Sequence, residues 1–244
     1  MLAGLFDGAL TSLEEVARTR VSVHYETGDA AVPVLSVCTP SAVRLPNSFV
    51  TDVLPGPEST IGQGVVVTPA GSWRVTRWWS PPRPRGLRPP EADVTGLFPV
   101  GAAFRSCAVP ALPPSYDGLD PAELIGAGAG LTPAGDDLIA GALVTAHATA
   151  DPRLAAWQQC VRELLTAHRT TAVSRAILHC ALDGYATSEL AEYIEAVCDS
   201  GPSSTWHDLE SATTNLLAVG HSSGAALMTG VLHTLSTTRM RGAA

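Results

Sequence analysis

Apolar and polar positions follow two different rhythms along this chain, and the change between them falls near residue 120. In the first third the period is two, the spacing of half-buried strands. Val21-Ser22-Val23-His24-Tyr25 and Val32–Val37 alternate in this way. Val65–Thr68 and Trp73–Trp78 flank Pro69-Ala70-Gly71-Ser72, turn residues that predict a hairpin. Thr11–Arg18, with Leu13 and Val16 at helical spacing, predicts a helix before these strands. Beyond Asp120 the period lengthens. Pro133–Ala150, Pro152–His168, Thr171–Asp183, Ser188–Asp199, Ser204–Leu217 and Ser223–Leu235 all read as helices, with Gly184, Gly201 and Gly220 at three of the junctions. The passage from Ser80 to about Pro114 is proline-rich and marks the boundary. The expected fold is α+β: a β-rich domain at 1–79 (a small barrel or sandwich), a connecting segment at 80–120, and a helical bundle at 121–244.

One run inside the helical part stands out. Leu124-Ile125-Gly126-Ala127-Gly128-Ala129-Gly130-Leu131-Thr132-Pro133-Ala134-Gly135-Asp136-Asp137 leads into an apolar helix carrying Gly141. Alternate glycines allow sharp turns and close backbone approach. Thr132 is a good N-cap, and Pro133 suits the first helical position. The free N–H groups of such a helix start suit an anion. The pattern returns at Gly220-His221-Ser222-Ser223-Gly224-Ala225-Ala226-Leu227-Met228-Thr229-Gly230 once a one-residue gap is allowed. Two such starts suggest a paired site. Gly141 and Gly230 allow close helix crossings. A purely structural reading also stands, in which the glycines are tight connections between packed helices.

Composition narrows the chemistry. All fifteen basic residues are arginine, which excludes lysine Schiff bases, lysine general bases and a Walker phosphate lysine. No strand and βαβ unit surround the glycine run, so a dinucleotide fold is disfavoured. The net charge of -8 argues against nucleic acid as a partner. The basic cluster Arg83–Arg88 reads as a solvated linker or subunit contact. Cys38, Cys107, Cys160, Cys180 and Cys198 lack CxxC spacing and read as reduced, mostly buried thiols. There is no basic n-region with a long apolar core at the amino terminus and no long apolar run elsewhere, so the expectation is a cytoplasmic protein without membrane contact. Trp73, Trp78 and Trp79 read as hairpin core or interface.

Candidate site residues gather at the two glycine loops. Gly128, Gly130, Thr132 and Gly135 are expected to bind an anionic group through N–H donors. Asp136 and Asp137 lie in the first turn, where carboxylates complement the helix dipole. Being about 100° apart on a helix, they cannot serve one face. One is expected to bond locally, while the other accepts from a substrate amide or holds the loops in register. His221 suits proton transfer or carbonyl polarisation. Ser222 and Ser223, next to Gly224, are N-cap candidates that would face the ligand. Arg169, with the hydroxyls up to Ser174, forms a carboxylate or phosphate clamp, or a capped helix end. No other Asp, Glu or His lies at ligand spacing, so neither a metal nor a cofactor is expected.

Leu124–Leu143 resembles the small-subunit family of oxamate carbamoyltransferase, the AllH-like family, whose hallmark is similar to G-x-G-x-G-L-T-P-S/A-G-D-D followed by an apolar helix. Arg169–Ser174 and Gly220–Gly224 are similar to later blocks of that family, and the resemblance spans Glu123–Leu235. Ala134 stands where the family often has serine. The resemblance implies transfer of a carbamoyl group between carbamoyl phosphate and oxamate (oxalurate plus phosphate in the other direction) in allantoin and purine-nitrogen catabolism. It also implies larger partner subunits, a homo-oligomer, or both. The alternatives are a non-catalytic structural or regulatory subunit and a stand-alone small-anion-binding protein.

Overall fold

In the computed structural model, residues 2–69, 71–90, 119–166, 169–198 and 206–242 are described. The chain divides into two units, Met1–Pro81 and Pro82–Ala244.

The first unit opens with a short helix, α1 (Ala3–Asp7), followed by seven strands: β1 (Thr11–Arg18), β2 (Ser22–Glu26), β3 (Val34–Cys38), β4 (Ser48–Val50), β5 (Ser59–Gly62), β6 (Val65–Thr68) and β7 (Gly71–Arg74). They form one sheet in the order β4-β3-β2-β1-β5-β6-β7, curled into half a barrel. All neighbours are antiparallel except β3 and β4. Val23 pairs with Val37 and Tyr25 with Leu35. These four join Leu13, Ile61, Val66 and Phe6 in a buried core.

Thr11–Arg18, expected as a helix, is a strand. It pairs with β2 on one side and β5 on the other, and its register shifts between Glu15 and Ala17. Burial alternates along the strand all the same, so Leu13 faces the core while Val16, three residues on, lies on the exposed side. Two ladders of backbone hydrogen bonds then outweigh a weak local helical preference. The hairpin at Val65 is present but tighter than expected, since Thr68 already pairs with Gly71. Its second strand therefore ends at Arg74. Trp78 lies edge-on to Phe6 at 5.6 Å, and Arg44 stacks on Trp79 at 5.3 Å.

The second unit is helical: α2 (Pro121–Leu124), α3 (Ala134–Thr149), α4 (Leu154–Thr166), α5 (Ala172–Leu182), α6 (Ser188–Cys198), α7 (Trp206–Leu217) and α8 (Ser223–Gly242). Each long helix matches an expected one to within two residues at either end, except that α8 runs on past the expected end at Leu235 to Gly242. Helix α3 is buried almost all round, as a central helix must be. Its chief partner is α8. A Cβ on Gly141 would lie 2.2 Å from the carbonyl oxygen of Leu227, and one on Gly230 would lie 2.0 Å from that of Leu138. Each glycine thus receives the backbone of the other helix. The two helices are parallel: Thr132, before α3, meets Ser223 at the start of α8, with 3.0 Å between their hydroxyl oxygens. At the other end Arg153, just past α3, donates to the Thr234 carbonyl at 3.0 Å and to the Thr237 hydroxyl of α8.

Part of the proline-rich passage packs against the helices rather than standing free. Leu87 N–H donates to the Ala148 carbonyl at 2.9 Å, and Arg83 stacks on Tyr185 at 5.1 Å. The Arg83–Arg88 cluster is thus partly docked, with Arg85 and Arg88 exposed. The rest of the connecting segment, including Pro113, Pro114 and Cys107, lies outside the described residues, as do Gly201 and the expected helix start at Ser204. Among the described residues Cys38, Cys160, Cys180 and Cys198 form no disulfide. Among the described residues no helix is long and apolar enough to cross a membrane.

Replacing Gly141 by alanine drives a methyl group into the α8 backbone. The substitution is expected to cost about 2 kcal/mol, more than the roughly 1 kcal/mol that alanine gains in helix propensity. Gly4 in α1 has open space around it, so Gly4→Ala is expected to be neutral or stabilising. Urea unfolding midpoints of the two variants check the contrast.

Candidate functional site

The glycine loop runs from Ile125 to Pro133, and its three alternate glycines all occupy the left-handed region: Gly126 at φ +81°, Gly128 at +123° and Gly130 at +96°. Only glycine reaches these values without strain. Close approach adds a second constraint at Gly126, where a Cβ would meet the Arg169 carbonyl oxygen at 2.2 Å. Helix α3 begins at Ala134 with Pro133 at the cap position and no side-chain cap bond. Thr132 is therefore not the N-cap expected from the sequence. Its hydroxyl pairs instead with Ser223, across the two helix starts.

Several backbone donors expected to face a ligand are used inside the fold. Gly135 N–H donates to the Ala127 carbonyl at 2.9 Å, and Gly224 N–H donates to that of Val219 at 2.9 Å. Both positions are closed to any side chain: a Cβ at Gly135 would lie 2.0 Å from the Leu124 oxygen, and one at Gly224 1.9 Å from the Leu216 oxygen. The repeat is thus structural as well as sequential, each glycine seating a helix start on the turn before it. Gly128 and Gly130 remain exposed. Among the described residues their N–H groups meet no backbone carbonyl.

The two aspartates point to different neighbours, as their angular separation requires. Asp136 is 1% exposed. Its carboxylate accepts from Gly126 N–H at 2.8 Å, from the Ser174 hydroxyl at 2.7 Å and from the Thr170 hydroxyl. It ties the glycine loop to the start of α5. Thr171 completes that junction, capping α5 at Ser174 N–H (3.0 Å) while donating its hydroxyl to the Leu131 carbonyl at 2.6 Å. Sequence reasoning did not assign Thr170 or Thr171 a role of its own. Their place in a hydroxyl-rich patch was the available signal, and the partner across the fold was not visible in it.

Asp137 is 4% exposed and faces the other helix start. Its Oδ2 is buried without a hydrogen-bond partner among the described residues. Burial pushes its carboxyl up to about 7, and the neighbouring charge of Asp136 adds to this, while the hydroxyls of Ser223 and Thr132 pull in the opposite direction. A carboxyl so placed exchanges its proton near neutrality, the range useful for proton transfer. His221 and Arg169 are exposed on their loops, and Ser222 is half-buried. Among the described residues no group of three His, Cys, Asp or Glu side chains is placed to hold a metal ion.

Residues 124–235 match a family model described as oxamate carbamoyltransferase subunit AllH. The matched stretch includes both glycine-bearing helix starts, the α5 junction and most of α8. No curated protein and no solved structure matches the chain.

The raised carboxyl of Asp137 has a consequence for stability. Its value of about 7 lies above the ordinary 3.8, so the folded state binds this proton more tightly than the unfolded state. Stability from this group is therefore fully present below pH 3.8 and is lost as pH rises through 7. Asp137→Asn keeps the shape and removes the charge. It is expected to match the wild type at pH 4 and to exceed it at pH 8, with a ceiling of about 4 kcal/mol. Chemical denaturation at the two pH values measures this, and a variant weaker than wild type at pH 8 contradicts it.

Proposed function

We propose, on the premise that residues 124–235 are AllH-like, that this chain is a subunit of an oxamate carbamoyltransferase. The enzyme would transfer a carbamoyl group between carbamoyl phosphate and oxamate, with oxalurate and phosphate as the other pair. The observation that carries this reading is the meeting of two helix starts at the Thr132–Ser223 hydroxyl pair over the buried Asp137. Two helix N-termini side by side concentrate positive potential, which favours a small anion. The hydroxyls and the exposed Gly128 and Gly130 supply donors, and Arg169, Ser222 and His221 stand on the surrounding loops. Such donors would orient the reactants and stabilise the oxyanion forming at the carbamoyl carbon. In this reading Gly135, Gly224, Asp136 and Ser174 hold the shape of the site, and Asp137 takes part in the chemistry.

The family description also supports partner subunits for this chain, and the larger ones would complete the enzyme. Allantoin-derived nitrogen as the source of substrate and the cytoplasm as the location belong to the same proposal. A second reading, a non-catalytic subunit, is favoured by one observation: Gly135, Gly141, Gly224 and Gly230 are each fully accounted for by backbone packing.

The test is to purify the chain with its partner subunits and assay carbamoyl phosphate formation from oxalurate and phosphate. Turnover is expected, and Ser223→Ala is expected to lower kcat about 100-fold, the usual effect of losing one oxyanion donor. A wild-type complex without turnover sinks the carbamoyltransferase reading. An active complex in which Ser223→Ala is silent favours the non-catalytic subunit.

A further inference from the structure

We propose that Asp137 is the proton store of this site, taking a proton from the attacking phosphate and returning it to the departing amide nitrogen through the hydroxyls of Thr132 and Ser223. The inference rests on the carbamoyltransferase reading and deepens it. Three features of the geometry lead to it. Asp137 is more than nine-tenths buried, and its Oδ2 has no hydrogen-bond partner among the described residues. Thr132 and Ser223 are half-buried, and the hydroxyls of both act on this carboxyl. A hydroxyl both donates and accepts, so a pair of them 3.0 Å apart can pass a proton between a buried carboxylate and a bound molecule.

Asp136, on the same helix, is the charged neighbour that acts on Asp137. From α5 and the loop before it, Ser174 and Thr170 are bonded to Asp136, while Arg175 acts on His179. From α8, Ser223 faces Asp137, and the residues that follow, Gly224, Ala225 and Ala226, carry no charge.

The chemistry balances around one stored proton. In the phosphate-consuming direction an oxygen of hydrogen phosphate attacks the carbamoyl carbon of oxalurate, forming a C–O bond. The C–N bond to the oxamate nitrogen then breaks. That nitrogen cannot leave as an amide anion and needs a proton. The newly formed carbamoyl phosphate, a mixed anhydride, gives up its remaining proton at a pKa of about 6 or below, and Asp137, whose proton affinity burial raises, accepts it. The proton therefore moves to Asp137 and from there to the nitrogen. Oxamate leaves with its NH2 complete, carbamoyl phosphate leaves as a dianion, and Asp137 returns to the carboxylate. The reverse reaction uses the same carboxylate first to accept the amide proton. The ionised form is thus the starting form in both directions.

The test uses the assembled complex, running carbamoyl phosphate with oxamate so that inorganic phosphate, which titrates in the same range, is not a substrate. Wild-type kcat is expected to fall tenfold per pH unit below about 7. Asp137→Asn is expected to lose about 100- to 1,000-fold in kcat and to lose this limb, with oxamate binding unchanged within threefold. Asp137→Glu is expected to recover part of the rate and a shifted limb. In His221→Gln the limb stays in place, whatever happens to the rate. An Asp137→Asn complex with wild-type kcat overturns the proposal. So does a wild-type profile flat between pH 6 and 8, which needs no variant to fold. A wild-type complex with no turnover at all is the different result that removes the underlying reading.

Discussion

The close parallel contact of α3 with α8 is the constraint on which the rest of the helical unit depends. Two helices can approach this closely only where neither carries a side chain at the crossing, and Gly141 and Gly230 supply that condition reciprocally. Parallel alignment has an electrostatic cost, because two like dipoles lie side by side. The charges at the ends oppose it. Asp136 and Asp137 sit in the first turn of α3, and Arg153 stands just past the carboxyl end of α3, reaching the Thr234 carbonyl within α8 and bonded to Asp151 at 2.6 Å. Arg153 also stacks on Trp157 at 4.7 Å, which holds the guanidinium in place. The arrangement leaves both helix starts at one end, and the site follows from this.

Once the helix starts are together, the loops have little freedom. Gly135 must sit on the Leu124 carbonyl and Gly224 on the Leu216 carbonyl, and their N–H groups are turned into the fold. A site built from backbone donors alone would be weakened by that loss. What remains at the junction is a hydroxyl pair, two exposed loop glycines and a buried carboxyl. This moves the chemical emphasis from passive anion capture toward proton transfer, because hydroxyls and a carboxyl near neutrality can exchange protons, whereas amides cannot.

The helical period was legible because it is carried by many residues and by long segments. Leu138, Ala142 and Ala146 mark the buried face of α3, as Leu227, Val231 and Leu235 mark that of α8. The repeat of Gly135, Leu138 and Gly141 in Gly224, Leu227 and Gly230 was legible for the same reason: three identities at fixed spacing require one geometry. Short elements were less so. In β1 two apolar residues three apart imitate a helix, and the pairing that decides the matter comes from Tyr25 and Ile61, far along the chain. The bond from Thr170 to Asp136 and the meeting of Thr132 with Ser223 were hidden likewise. A hydroxyl next to a helix start looks like a cap, and only the tertiary fold shows that it reaches across to another element.

The difference between the two halves of the repeat has a physical reason. Where the first helix carries Asp136 and Asp137, the second carries Ala225 and Ala226. A carboxylate at Ala226 would occupy, across α8, the place Asp137 occupies on α3. Two buried carboxylates near one another raise each other's proton affinity, and Asp137 already sits at about 7 with Asp136 beside it. A further acid would raise the proton affinity of the carboxyl that ionises last and move its exchange away from neutrality. The alanines avoid this and let Ser223 stand against Asp137 without a competing charge. A duplicated scaffold with an unduplicated pair of acids therefore leaves Asp137 between two helix starts, and the glycine repeat and the buried Asp137 are parts of one arrangement.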